Sequence, residues 1–310
     1  MQIEISVFYA RLGAIGLILV LGFLLGKFKL ISDKTNKELT NLLLTVFMPA
    51  SLFIAFPATY DEGSANLFFS GLLAGAIIMF ILIILAKVIF NKKWMDRELS
   101  SESQFALIFN NATFLGYPII SSTFGPSGIL AYCGFIIAFN IALFSYGIWL
   151  FERKITWRLA RSIIFNPNII AVILGMVFFL IGFSLPDFIN DSISYVGGAT
   201  TPLSIICIGY MLSRAKLSKI LLKWKLILTA AIQLTLCPLV TWGLLTLLNF
   251  PIEVIQVCTI IQTLPTATSL GLFAVKYGGN ADESSELVTI STVLSVATMP
   301  LMIFLLLSLH

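Results

Sequence analysis

Apolar residues run along this chain in blocks that approach the roughly 20 residues needed to cross a bilayer. Short polar connections separate the blocks. The pattern predicts ten helical spans, at about 7–26, 37–57, 66–90, 102–124, 127–150, 162–182, 188–212, 223–248, 251–275 and 284–308. Two of them, the fourth and the ninth, carry polar and helix-breaking residues at their centres. The fourth reads Phe109-Asn110-Asn111-Ala112-Thr113-Phe114-Leu115-Gly116-Tyr117-Pro118, and the ninth Gln262-Thr263-Leu264-Pro265-Thr266-Ala267-Thr268-Ser269-Leu270-Gly271.

In lipid an interrupted helix frees backbone N–H and C=O groups, which is tolerable only where protein or a cavity takes them up. A matched pair of such segments is a pointer to the binding site of a secondary transporter. Proline disfavours helix in the residue before it and suits the first turn of a new helix. The expectation is therefore two half-helices per span, joined by non-helical bridges at about Asn111–Tyr117 and Leu264–Ser269, with Pro118 and Pro265 opening the second halves. The N-terminal ends of those halves would offer free amides and a partial positive charge to an anion. Candidate binding residues are Asn110, Asn111, Thr113, Gly116, Tyr117 and Pro118 on the first bridge. On the second they are Thr263, Pro265, Thr266, Thr268 and Ser269, and Asn140, in mid-span, can join them or brace the first bridge. The competing reading is a pair of packing kinks whose hydroxyls bond back to the preceding turn.

Composition agrees with the block pattern: 58% of residues are hydrophobic and 11% are charged, against about 25% charged in an ordinary soluble domain. No stretch looks like a separate soluble domain, and residues 7–26 lack the basic flank and cleavage site of a signal peptide. The net charge of +4 is explained by topology rather than by an acidic partner. Of 19 lysines and arginines, all but Arg11 lie on odd-numbered connections, while even-numbered ones carry only acids or no charge. By the positive-inside rule the odd connections are cytoplasmic and both termini face outward. The basic run 213–225 reads as one of these inner connections rather than a lipid-phosphate or nucleic-acid patch. Arg11 reads as an interfacial, snorkelling cation.

Five spans are an odd number, so halves of five run oppositely through the membrane. An offset of 153 residues superposes the two broken spans and sets Gly22 on Gly175, Pro49 on Pro202, Ser51 on Ser204 and Gly125 on Gly278. The expected fold is an all-α membrane protein of ten helices in two inverted five-helix repeats, residues 1–150 and 162–310, joined by a cytoplasmic connection at 151–161.

Other chemistry is sparse. No Asp or Glu lies near the centre of a predicted span, and His310 is the sole histidine. Cys133, Cys207, Cys237 and Cys258 are scattered singly and read as packing residues. Ser51, Thr200, Thr201 and Ser204, like Ser291, Thr292 and Ser295, read as small residues at helix contacts. Phosphate loops, nucleophile elbows and zinc-protease motifs are missing, so the reading is not an enzyme and needs no cofactor.

The segment Asn110 to Pro118 resembles the Asn-x-x-x-x-Gly-x-Pro pattern of the auxin efflux carrier family, which takes in plant auxin carriers and bacterial malate-permease-type carriers. The stretch from Leu264-Pro265 through Tyr277-Gly278 to Ser291-Thr292, Ser295 and Pro300 is similar to that family's C-terminal end. The resemblance implies a fold related to bile acid/sodium symporters, with spans 1, 2, 6 and 7 as a scaffold and the other six as a mobile core. It also implies crossed broken helices, elevator-like motion, homodimers, and organic-anion contacts around Asn111, its matching region and Asn140. The long cytosolic loop of the plant carriers is reduced here to residues 151–161, as in a short prokaryotic carrier.

The leading expectation is thus a multi-pass carrier in the cell membrane for a small organic anion such as malate, with proton or sodium as coupling ion. A sodium-coupled, bile-acid-like symporter and a transport-dead ligand sensor are the alternatives.

Overall fold

The computed structural model describes residues 5–56, 62–90, 97–153, 161, 164–214 and 223–307. The connection 154–160, the basic run 215–222, Lys92, Lys93 and His310 lie outside the described residues, as does the side chain of Arg11. The described residues form helices and short turns, and no strand forms among them beyond one isolated bridge.

The first helices are α1 (Ile5–Lys27), α2 (Asp33–Leu42) and α3 (Met48–Phe53), the last two joined by a π-helical turn at Leu43–Phe47. Then come α4 (Glu62–Ile89), α5 (Arg97–Ile108), a π-helical turn at Ala112–Gly116, and α6 (Tyr117–Ala142), which a further π-helical turn at Leu143–Gly147 joins to α7 (Ile148–Glu152). The second half of the chain supplies α8 (Pro167–Leu180), α9 (Asp187–Gly198), α10 (Thr200–Ser213), α11 (Trp224–Leu247), α12 (Ile252–Gln262), α13 (Ser269–Tyr277) and α14 (Ala281–Leu307). Among the described residues, five continuous helical stretches are long and apolar enough to cross a membrane: Glu62–Ile89, Ala112–Glu152, Asp187–Ser213, Trp224–Leu247 and Ala281–Leu305.

Local sequence sets several of the ends. Ser32 caps α2, its hydroxyl oxygen accepting from the Thr35 N–H at 3.1 Å, and Asp33 puts a negative charge in the first turn. Asn166 caps α8 in the same way and Pro167 occupies the first turn, where a missing N–H costs no hydrogen bond.

Helices pack both across the two halves of the chain and within each half. Helix α1 lies on α10, and α8 lies on α3. Helix α4 lies on α6, and α11 lies on α14; α12 touches α4, and α11 touches α5. In lipid such contacts rest on close van der Waals fit rather than on water exclusion, so small residues set the distance. A methyl on Gly22 of α1 would strike the backbone carbonyl of Ile206 on α10, and one on Gly175 of α8 would meet the Phe53 carbonyl at 2.8 Å. Gly125 and Gly278 both have positive φ, 63° and 89°, though their ψ values differ, −149° against 40°. Gly125 turns the chain within α6 ahead of Pro126, and Gly278 ends α13.

Helix geometry lapses at two places near the middle of the bundle, Phe109–Asn111 between α5 and the π-helical turn, and Thr263–Thr268 between α12 and α13. The first lapse is shorter and earlier than the expected 111–117. Helix resumes at Ala112, so Pro118 lies in its second turn instead of opening it. The widened turn accounts for this: Leu115 and Gly116 both donate their N–H groups to the Asn111 carbonyl at 3.1 Å, the second closing a five-residue ring. A turn already departing from α geometry tolerates the N–H that Pro118 cannot supply. In the second lapse Pro265 also lies short of its helix, which starts four residues later at Ser269.

Candidate functional site

The two non-helical stretches cross and pair with each other. The Asn111 N–H donates to the Pro265 carbonyl at 2.6 Å, and the Ala267 N–H donates to the Phe109 carbonyl at 2.9 Å. Asn110 thus stands opposite Thr266 in a single antiparallel bridge. Backbone groups freed by one interruption are satisfied by the other, which is how irregular backbone survives at the centre of an apolar bundle.

Side chains fasten the crossing. The Asn110 carboxamide donates to Gln262 Oε1 at 2.8 Å. Gln233, on α11, donates to the Leu264 carbonyl at 3.1 Å and accepts from the Thr266 hydroxyl at 2.8 Å. The Thr266 N–H donates to Ser291 Oγ on α14 at 3.1 Å. On the other stretch, the Tyr132 hydroxyl donates to the Ala112 carbonyl at 3.0 Å. Phe105 and Phe109 pack against each other at 4.8 Å between ring centres, close under the crossing, and Phe273 of α13 joins them.

Two cavities open beside the crossing. The larger, about 270 Å³, is lined by six asparagines: Asn41, Asn110, Asn111, Asn140, Asn166 and Asn168. Thr45, Thr113, Thr268 and Ser269 add hydroxyls. The smaller, about 170 Å³, is bounded by Asn111 and Thr268 on one side and by Ser285, Thr289 and Thr292 of α14 on another. Asn111 and Thr268 are on the walls of both. No charged side chain lines either cavity among the described residues. What faces the larger cavity instead is neutral hydrogen-bonding capacity together with the starts of three helical segments, at Ala112, Pro167 and Ser269. Such a lining suits an anion held by dipoles and amides rather than by a lysine or arginine.

Of the residues singled out in the sequence, Asn110, Asn111, Thr113, Asn140, Thr268 and Ser269 come together on the walls of the larger cavity. Gly116, Tyr117, Pro118, Thr263, Pro265 and Thr266 are not on the walls of either. Thr266 is fully buried in its bonds to Gln233 and Ser291. Thr263 bonds back to the Ile260 carbonyl at 2.7 Å, the packing-kink behaviour. Gly116 faces Leu264 and Tyr132, and the Tyr117 ring sits edge-on to Tyr132 at 5.9 Å. Asn140 donates to its own helix, at the Ile136 carbonyl, at 2.8 Å while lining the cavity.

Sequence reasoning missed Asn41, Asn166, Asn168 and Gln233. The same rule that picked out Asn140, an amide in an apolar span, applies to Gln233. Asn166-Pro167-Asn168 reads at first sight as no more than a helix start.

A family model described as membrane transport protein matches residues 8–157 and 151–303. The chain belongs to that family. An uncharacterized transporter of Methanothermobacter thermautotrophicus is 24% identical over 294 residues, 92% of this chain and 93% of its own length. A Rhizobium meliloti protein, provisionally named a malonate transporter, is 30% identical over 149 residues, 47% of this chain and 46% of its own. An uncharacterized sodium-dependent transporter of Bacillus subtilis is 32% identical over 133 residues, 42% and 40% of the two chains. The protein is therefore a multi-pass membrane transporter and not an enzyme.

Proposed function

We propose that this member of the family is a secondary carrier of a small organic anion, a carboxylate such as malate or malonate, working by elevator-type alternating access. One observation carries the reading: residues at the starts of the π-helical turn and of α13, on opposite sides of the crossing, line one uncharged, amide-rich cavity. A carboxylate there meets the uncapped start of α13, the start of the π-helical turn, whose Phe114 N–H Asn111 caps, and several neutral donors. The Rhizobium relative, by its name, supports a dicarboxylate.

In this reading ten spans form two inverted five-helix repeats. The exchange of contacts supports it: shifting by 153 residues turns the α1–α10 contact into α8–α3, and α4–α6 into α11–α14. Gly125 and Gly278, both of positive φ, fall at equivalent positions. Helices α1–α3 and α8–α10 form the scaffold, and α4–α7 with α11–α14 the moving core, each protomer pairing with a second in the membrane. Asn41, Asn166 and Asn168 then belong to the scaffold wall of the cavity, and Asn110, Asn111 and Asn140 to the core wall. Both termini face outward, since the basic connections mark the cytoplasmic side.

Uptake of radiolabelled organic acids into proteoliposomes, under imposed proton and sodium gradients, tests the assignment. Saturable uptake of a dicarboxylate that a gradient drives uphill supports it; a protein that is folded yet moves none of the panel contradicts it. The name of the Bacillus relative favours sodium as the coupling ion, and accumulation that follows the sodium gradient alone would select that version.

A further inference from the structure

We propose that the cavity takes a dicarboxylate as its monoanion, one carboxyl ionised and the other protonated, so that the proton crosses the membrane on the substrate. This rests on the carrier reading above and adds the ionic form of the cargo. Three features of the walls carry it.

The first is the supply of positive potential. Three helical starts face the larger cavity, but two are already capped. Asn111 Oδ1 accepts from the Phe114 N–H at 3.2 Å. Asn166 Oδ1 accepts from the N–H groups of Asn168 and Ile169 at 2.9 and 3.3 Å. The start of α13 has no side-chain cap, because the Thr268 side chain does not turn back onto it. With no lysine or arginine on the walls among the described residues, that uncapped end is provision for one negative charge. A second ionised carboxylate in this low-dielectric space would stand without a counter-charge.

The second is a pair of unspent acceptors. The carboxamide oxygens of Asn110 and Asn168 have no hydrogen-bond partner. Their residues are 2% and 7% exposed, and both line the cavity. The Asn110 amide nitrogen is committed to Gln262, which fixes that carboxamide with its oxygen unused. A buried acceptor left without a hydrogen bond loses its solvation with nothing in return. A carboxylate, itself only an acceptor, cannot relieve that cost, whereas a carboxyl O–H can.

The third is the lack of a proton carrier in the protein at this place. None of the described residues lining the cavity is titratable. Neighbouring elements do hold such groups, Asp33 and Lys37 of α2 and Glu152 of α7 among them, but none of these lines the cavity. Glu38 of α2 pairs with Lys34 at 3.9 Å. Glu102 of α5 accepts from the Asn280 N–H at 2.8 Å. Tyr132 of α6 bonds to the Ala112 carbonyl, Tyr146 to Gln104 at 3.2 Å, and Lys276 of α13 lies over the Tyr277 ring. A proton moving with the anion therefore has the substrate's second carboxyl as its seat.

Competition in proteoliposomes decides the matter on the wild-type protein. Labelled malonate uptake is measured from acidic to alkaline pH, in sodium and in choline media, against two permanent monoanions. The half-amide of malonic acid carries N–H donors; its methyl half-ester has no donor. The proposal expects the apparent KM for total malonate to rise about tenfold per pH unit once the second carboxyl ionises. Inhibition by the half-amide should stay flat with pH and exceed that by the half-ester roughly tenfold, because a site built for a donor rejects an analogue without one. Asn168→Leu should narrow that ratio without changing the pH slope of the substrate's own ionisation. Malonate uptake that is flat or improves as pH rises overturns the monoanion while leaving the carrier reading standing, as does equal inhibition by the two analogues. Uptake that needs sodium and ignores pH assigns the free oxygens to a cation and likewise overturns it. Failure of malonate to bind at any pH removes both this inference and the dicarboxylate reading.

Discussion

The backbone N–H of Asn111 and the carbonyl of Pro265, 154 positions apart in sequence, meet at 2.6 Å. With its partner bond from Ala267 to Phe109, this contact makes the two interruptions a single unit, since neither can straighten or shift without stranding the other's buried polar groups. In the proposed carrier this unit would keep the core wall of the cavity, Asn110 and Asn111 with Thr268 and Ser269, together as it moves past the scaffold wall.

Asn111 has two duties that substitution can separate. Its side chain caps the Phe114 N–H and also faces both cavities. Asn111→Ala should lose about 1 kcal/mol of stability with the cap and severalfold in anion affinity. Asn111→Asp keeps an acceptor at a helix start, so the melting temperature should hold while the added negative charge repels the substrate and uptake collapses. Melting and uptake on the same purified samples check the split; an Asp variant that transports normally removes Asn111 from the site.

Gln233 and Thr268 should behave oppositely. Gln233 is 1% exposed and holds both the Leu264 carbonyl and the Thr266 hydroxyl. Gln233→Leu leaves those groups unsatisfied, at about 1–3 kcal/mol each, and transport should fall in step with thermal stability. Thr268→Val removes one hydroxyl from the cavity wall. It should raise the KM severalfold with little change in melting temperature.

Pro118 and Pro265 look like equivalents in the sequence but are not so in the fold. Pro118 lies within a continuing helix and off the cavity walls, so Pro118→Ala should keep most uptake and leave stability equal or higher. Pro265 lies in the crossing itself; Pro265→Ala keeps the carbonyl bonded to Asn111 but loosens the chain, costing about 0.5–1 kcal/mol and lowering uptake. Paired melting and uptake assays separate the two. Loss of transport in a well-folded Pro118→Ala protein would contradict this geometry.

The charge distribution predicts that a fusion at the C-terminus of a reporter active only in the cytoplasm stays dark. A bright signal would reverse the orientation and undo the inverted repeat with it.

Much of this was legible in the chain, and the reason is physical. Spans are set by the thickness of lipid, so apolar block length marks where α4, α11 and α14 run. Asn110 and Asn111 stood out because amides in an apolar span need partners. Which polar residues bond to each other was not legible: Thr266 looks like a ligand group until Gln233 and Ser291, from other helices, are seen to consume it. Asn41 and Asn168 lie near span ends, where polar residues are ordinary, and only packing brings them to the cavity. Pro118 misleads because a π-helical turn, which no local residue type announces, absorbs its missing hydrogen bond.

The central claim, anion transport through the cavity at the crossing, is most directly tested by exchange. Proteoliposomes loaded with unlabelled malonate or malate are diluted into trace labelled acid. The account predicts transient accumulation of label above equilibrium with the wild-type protein, and none with an equally stable Asn111→Asp variant. Label that never exceeds equilibrium with any acid of the panel, or that accumulates equally in the variant, would contradict it.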